Sequence, residues 1–178
     1  MTQTDNFVFK ALHVIAWVIF VGLSIEAGAL IVNFIFSIFK PEMVGNLYSK
    51  LDLSAMYNRS QWAFYCVYSL VLTISILKAY LFYLLIELLN KLDLGKPFTR
   101  LISKSISQIS YHTFSIGIIS YIALQSAKNL QRRGFDTHDL DQFWTDSQAF
   151  ILMSAVIYVI AIIFAKGIEI QEENDLTV

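Results

Sequence analysis

The chain has 178 residues, of which 56% are hydrophobic and 15% charged, with a formal net charge of −1. Soluble domains carry about 45–50% apolar and about 25% charged residues, so this composition excludes an ordinary water-soluble globule. The charges gather at 40–60, 91–104, 128–146 and 166–175, and the apolar runs between them leave no room in these residues for a soluble catalytic or DNA-binding domain.

Those runs are Ala11–Phe39, Gln61–Leu89, Ile106–Ala127 and Ala149–Ala165. A bilayer core about 30 Å thick takes about 20 helical residues to cross. The runs predict helices at about 11–39, 61–90, 102–127 and 147–166, with an acidic C-terminal tail over 167–178. The fold class is therefore all-α: a polytopic membrane protein, an antiparallel four-helix transmembrane bundle, in a single membrane domain over 1–178. The first helix follows a tail, Met1–Asn6, with no base before Lys10. Its apolar run continues past Ala27-Gly28-Ala29, which reads as a retained helix and not a cleaved signal. It ends near Lys40-Pro41, because proline cannot continue the hydrogen-bond ladder.

The connection Pro41–Ser60 is mildly amphipathic through Met43, Val44, Leu47, Leu51 and Leu53, and is expected along the membrane interface. The second helix carries Lys78, Glu87 and Lys91, and its Cys66 reads as a membrane-buried small hydrophobe. Gly95 and Pro97 punctuate a tight reversal, and Thr99 is placed to cap the third helix. In that helix Ser103, Ser110 and Gly117 recur every seven residues, a face of small residues that lets a neighbouring helix come close. The connection 128–147 is basic, then acidic. Phe143 and Trp144 suit an interfacial belt. Gly167 is a plausible end of the fourth helix, and the acids beyond it have no base against them.

Four crossings put both termini and the 92–99 connection on one side. Bases are balanced: Lys10, Lys91, Lys96, Arg100, Lys104 and Lys166 on that side, Lys40, Lys50, Arg59, Lys128, Arg132 and Arg133 on the other. Lys78, snorkelling toward the 92–99 end, and the dense bases near that short connection favour cytoplasmic termini.

Polar residues at membrane depth are the candidate site. Glu26 sits mid-helix, where a carboxylate is costly and is paired, hydrated or protonated. Gly22, Glu26, Ala29 and Asn33 form one narrow stripe expected to face the bundle interior. Lys78 and His112 complete the candidate set. A Glu26–Lys78 ion pair is feasible, but Lys78 lies off the polar stripe of its own helix. Glu26 is either an ion or proton site or a structural acid that holds helices together. Asp136, His138, Asp139 and Asp141 lack a calcium-loop pattern and read as a solvated acidic loop; no metal or cofactor is expected. Asn58-Arg59-Ser60 matches a glycosylation triplet of the kind that arises by chance.

Two stretches carry a resemblance. They are Gly95-Lys96-Pro97-Phe98-Thr99 and the end Lys166-Gly167-Ile168-Glu169-Ile170-Gln171-Glu172-Glu173-Asn174-Asp175-Leu176-Thr177-Val178. Both are similar to those of a bacterial four-span inner-membrane family known only as a domain of unknown function, numbered in the twenty-nine-hundreds. Members resemble this chain over nearly its full length and commonly end in Gly-x-x-Leu-x-x-Glu-x-Asp-Leu-Thr-Val; Ile170 here replaces the usual leucine. Their genes often neighbour a small helix-turn-helix regulator. The resemblance implies a membrane partner of a transcription factor and supplies no catalytic residue.

Gly95, Lys96, Pro97, Phe98, Glu172, Glu173, Asp175 and Leu176 are thus candidate partner-binding residues. An acidic tail does not cling to anionic lipid but suits a basic protein surface. The leading expectation is a non-enzymatic regulatory or sensor protein of the inner membrane that tethers a cytoplasmic regulator, without touching nucleic acid itself. The alternative is a small transporter or channel, with a second copy of the chain as partner in a homo-oligomer and Glu26 as its ion or proton site. A membrane enzyme using Glu87 and His112 ranks last.

Overall fold

The computed structural model describes residues 3–46, 51–92, 95 and 98–175. Among these there is no strand. Four long helices dominate: α1 (Gln3–Phe39), α3 (Gln61–Lys91), α4 (Arg100–Arg132) and α6 (Ser147–Asp175). Two short ones, α2 (Ser54–Arg59) and α5 (Asp141–Trp144), lie in the connections, with 3₁₀ turns at Pro41–Asn46 and His138–Leu140. The four long helices run antiparallel in sequence order, α1 on α3, α3 on α4 and α4 on α6.

The ends of these helices are set locally. α1 stops one residue before Lys40-Pro41, as proline requires. Ser60 caps α3 by accepting from the Ala63 amide, and Thr99 caps α4 by accepting from the Ile102 amide at 3.3 Å, the role its sequence position predicts. α4 ends in a Schellman arrangement, with the Gly134 amide on the Gln131 carbonyl and the Phe135 amide on the Leu130 carbonyl. Gly134 has φ +81°, which suits a residue with no Cβ.

Among the described residues, three segments are long and apolar enough to cross a membrane: Phe7–Phe39, Gln61–Lys91 and His138–Asn174. α4 has the length, but Ser103, Lys104, Ser105, Ser107, Gln108 and Ser110 dilute its apolar character. It is flanked on both sides by α3 and α6, so many of its small polar residues meet protein. Ser110, Thr113, Gly117 and Ser120 are buried there.

The α4–α6 seam follows the seven-residue repeat. The Ser110 hydroxyl donates to the Ser154 carbonyl at 2.9 Å and the Ser103 hydroxyl reaches the Ala161 carbonyl at 3.5 Å. At Gly117 an added Cβ would lie 2.9 Å from the backbone nitrogen of Ile151. α1 and α3 instead meet through rings: Phe34 stacks on Tyr68, and the Tyr68 hydroxyl donates to the Leu30 carbonyl.

The register of this seam has a further effect. Gly117, near the middle of α4, lies beside Ser147, the first residue of α6. The connection 133–146 therefore folds back along half of α4. It buries Leu140, Phe143 and Trp144 against Phe64, Tyr68, Val71, Ala123 and Ala127. Val44, Leu51, Leu53 and Met56 of the first connection join the same core. These two connections form a packed cap. Val44, Leu51 and Leu53, expected along the interface, are buried in a cluster that joins Leu30 of α1 to Phe64, Val67 and Tyr68 of α3; Met43 and Leu47 fall among side chains outside the description. Trp144, expected in a belt, is 1% exposed.

The guanidinium of Arg59 pins the cap. It donates to the carbonyls of Arg133 and Gly134, both at 2.7 Å, and lies 4.4 Å above the Phe135 ring. Arg59 thereby serves the unsatisfied carbonyls at the end of α4 and adds a cation–π contact.

The opposite end departs from expectation. Gly167 does not end the last helix, and 167–175 is no loose tail: α6 runs to Asp175. Phe98 explains the glycine, since an added Cβ would sit 2.7 Å from its Cδ1. The residue serves close approach, not termination.

Candidate functional site

The predicted intramembrane residues separate into one junction and several outliers. Lys78, half-buried on α3, donates from Nζ to the Phe143 carbonyl at 3.2 Å. Its ammonium also lies 5.8 Å from the Phe150 ring centroid. Asp146, at the α5–α6 corner, and Glu26 of α1 contribute to its electrostatic surroundings, but neither forms an ion pair with it among the described residues. Lys78 thus turns toward the folded-back connection and not toward headgroups at the 92–99 end. The backward tilt of helical side chains aims it that way.

Glu26 is half-buried and forms no salt bridge among the described residues. Its stripe does not face the interior. Ala16, Ala27, Leu30 and Ser37 are the buried positions among the described side chains of α1, whereas Gly22 is exposed and Glu26, Ala29 and Asn33 lie half-buried on the flank. The aromatic contacts of Phe34 with α3 fix that rotation. His112 stands apart, edge-on to Tyr80 at 4.9 Å. Glu87 is taken by Lys91 through an i,i+4 ion pair at 2.5 Å, so it does not join His112.

Sequence reasoning missed the rest of this junction. Asp146 and the Phe143 carbonyl come from the folded-back segment. Beside them the Ser120 hydroxyl, Trp144 Nε1 and Ser147 hydroxyl are buried without a hydrogen-bond partner among the described residues. Buried polar atoms of this kind are costly unless paired or hydrated. The meeting of α4, α5 and α6 thus gathers three buried polar atoms close to the Lys78–Phe143 contact.

Other candidates behave as solvated or structural groups. Asp136 accepts from the His138 amide at 3.1 Å, and no group of three His, Cys, Asp or Glu among the described residues could hold a metal ion. Cys66 lies on the outer surface of α3, in a groove shared with Trp62 and Arg133.

The second candidate surface lies at the end where α3 turns into α4. Phe98 packs on Phe164 at 5.2 Å between ring centroids. Arg100 grips Glu172 with two nitrogens, Nε at 3.2 Å and Nη2 at 2.9 and 3.0 Å from its oxygens. Lys166 pairs with Glu169 at 2.6 Å. The acids expected to lack a base therefore have two. Antiparallel register brings Arg100 to Glu172, and the sequence spacing alone does not show it. Gly95 is exposed in the turn, and Glu173 is exposed on α6. Asp175 belongs to α6, with its side chain outside the described set; Lys96, Pro97 and Leu176 lie outside the described residues.

A family described as Protein of unknown function (DUF2975) matches residues 49–178. The chain belongs to this family. The match takes in α2 to α6 and both stretches that carried the resemblance, but α1 lies outside it, so the likeness is shorter than the nearly full length expected. Comparison with curated proteins and with solved structures gave no significant match. This DUF2975 protein is thus a helical membrane protein of a family without assigned function.

Proposed function

We propose that the chain is a membrane-embedded regulatory or sensor protein that holds a basic cytoplasmic protein, such as a helix-turn-helix regulator, at the end formed by 92–100 and the last turns of α6. In this arrangement all four long helices cross the bilayer and both termini are cytoplasmic. The observation that carries the proposal is the two-nitrogen grip of Arg100 on Glu172. Together with Phe98 under Gly167, it makes the acidic end of α6 a fixed helix. A fixed acidic helix loses less conformational freedom on binding than a loose tail would. Its charge complements the basic face of a DNA-binding protein.

The test is retention at the membrane in cells that co-express the chain and a small helix-turn-helix regulator. The full chain should hold the regulator at the membrane. A chain lacking 172–178 should insert equally well and leave the regulator soluble. Equal retention by both chains would refute the proposal.

A second reading, a small transporter or channel, is favoured by the charged junction around Lys78, Asp146 and Glu26. It requires ion or proton flux in liposomes that Glu26→Gln abolishes; absence of flux under imposed gradients removes it.

A further inference from the structure

We infer that the cleft between the start of α4 and the last turns of α6 is a headgroup site for a zwitterionic phospholipid bearing a primary ammonium. The cavity measures about 300 Å³, and its lining includes Arg100, Ser103 and Lys104 from α4 and Ile168, Glu169 and Glu172 from α6. Its two walls carry opposite charge: Arg100 and Lys104 share one face of α4 by their i,i+4 spacing, and Glu169 and Glu172 face them from α6.

Donors remain available on the basic wall. Lys104 is exposed and makes no ion pair among the described residues. Arg100 meets Glu172 through Nε and Nη2, while Nη1 makes no hydrogen bond among the described residues. A phosphodiester fits these groups, as basic pockets between membrane helices fit lipid headgroups. Acceptors remain on the acidic wall, because a carboxylate offers about four lone-pair positions. An ammonium three N–H donors strong fills them.

The open hydrogen-bonding positions select the ligand. An anionic lipid would bring no ammonium to the acceptor positions left on Glu172 by Arg100 and on Glu169 by Lys166. A quaternary ammonium cannot donate a hydrogen bond to either acid. Only a primary ammonium on the same molecule as the phosphate satisfies both walls. Depth selects a lipid over a soluble phosphodiester: Leu101 is 67% exposed beside Arg100, and Ile170 is 59% exposed beside Glu169. Exposed apolar side chains next to charges mark the boundary where headgroups lie.

This site shares Arg100 and Glu172 with the partner-capture end, but lipid binding and partner retention are read by separate assays, so either can fail alone. The full chain in detergent is titrated with phosphatidylethanolamine, phosphatidylcholine and phosphatidylglycerol of identical acyl chains, and bound lipid is counted by native mass spectrometry. Phosphatidylethanolamine should bind about fivefold tighter than either of the others, the scale of one exposed charge contact. Lys104→Ala should weaken that binding about fivefold. Glu169→Gln should abolish the preference over phosphatidylglycerol. Both positions are exposed, and unchanged thermal unfolding confirms that the variants are folded. Equal binding of the three lipids, or a Glu169→Gln chain that keeps the preference, overturns the assignment. So does competition by acyl-free glycerophosphoethanolamine at the lipid's own concentration, which would place a soluble ligand in the cleft.

Discussion

Gly117→Ala is the sharpest perturbation of this fold. The new Cβ would lie 2.7 Å from Ile151 Cγ1, 2.9 Å from the Ile151 nitrogen and 3.2 Å from the Ser147 carbonyl oxygen. A side-chain carbon can rotate away, but a helix backbone cannot. Comfortable carbon contacts begin near 3.5 Å, so α6 must retreat by roughly half an ångström or more. That retreat stretches the Ser110–Ser154 bond from 2.9 Å beyond good geometry, a loss of about 1 kcal/mol. Overpacking of a tight contact costs about 1–3 kcal/mol, so a total near 2 kcal/mol is expected. The assay is reversible unfolding in mixed micelles, followed by tryptophan fluorescence. Gly28→Ala is the control, since its Cβ would meet nothing within 4 Å and should be neutral or stabilising by up to about 1 kcal/mol. In a Ser110→Ala background the Gly117→Ala cost should fall by about 1 kcal/mol, because the bond is already gone. A cost for Gly117→Ala below about 0.5 kcal/mol, or equal effects at positions 28 and 117, would refute a seam built on backbone approach.

Trp144→Ala should cost about 3–5 kcal/mol through the cavity it leaves, and Trp144→Phe clearly less, because its Nε1 has no hydrogen-bond partner among the described residues; micelle unfolding measures both. Lys78→Met should cost about 1–3 kcal/mol by stranding the Phe143 carbonyl; a cost below about 0.5 kcal/mol would show that this contact does not hold the folded-back segment. Asp52 accepts from the Ser54 hydroxyl at 2.6 Å and the Ser54 amide at 2.9 Å, in that order of effect, which holds its carboxyl below the ordinary carboxylate range. A depressed value favours the fold while the group is ionised, so its contribution is present above the ordinary carboxylate range and fades as pH falls through the folded value; by NMR titration Ser54→Ala should raise the Asp52 midpoint.

Much of this architecture is legible in the sequence because a bilayer imposes long apolar runs, and because Thr99 and the Ser103–Ser110–Gly117 repeat are local signals. The illegible parts depend on residues far apart in the chain. Gly167 has the look of a stop until Phe98, 69 positions earlier, is placed against it. Leu51 and Trp144 look interfacial until the connections fold back onto α3. Lys78 has no partner within reach along its own helix, because its acceptor is a carbonyl 65 residues away. Glu26 stands out by composition alone, yet periodicity could not fix the rotation of α1, which the rings of Phe34, Tyr65 and Tyr68 decide.

The two kinds of helix contact differ in stiffness. Where α4 and α6 touch, main chain meets main chain, and relative sliding must break hydroxyl–carbonyl bonds while forcing atoms already at their limit. Where α1 meets α3, flat rings intervene, and rings tilt on one another at little expense. Deformation of this molecule by a thinner or more curved bilayer would therefore be taken up by the first helix swinging as a lever on an aromatic bearing, with the α4–α6 pair moving as one body.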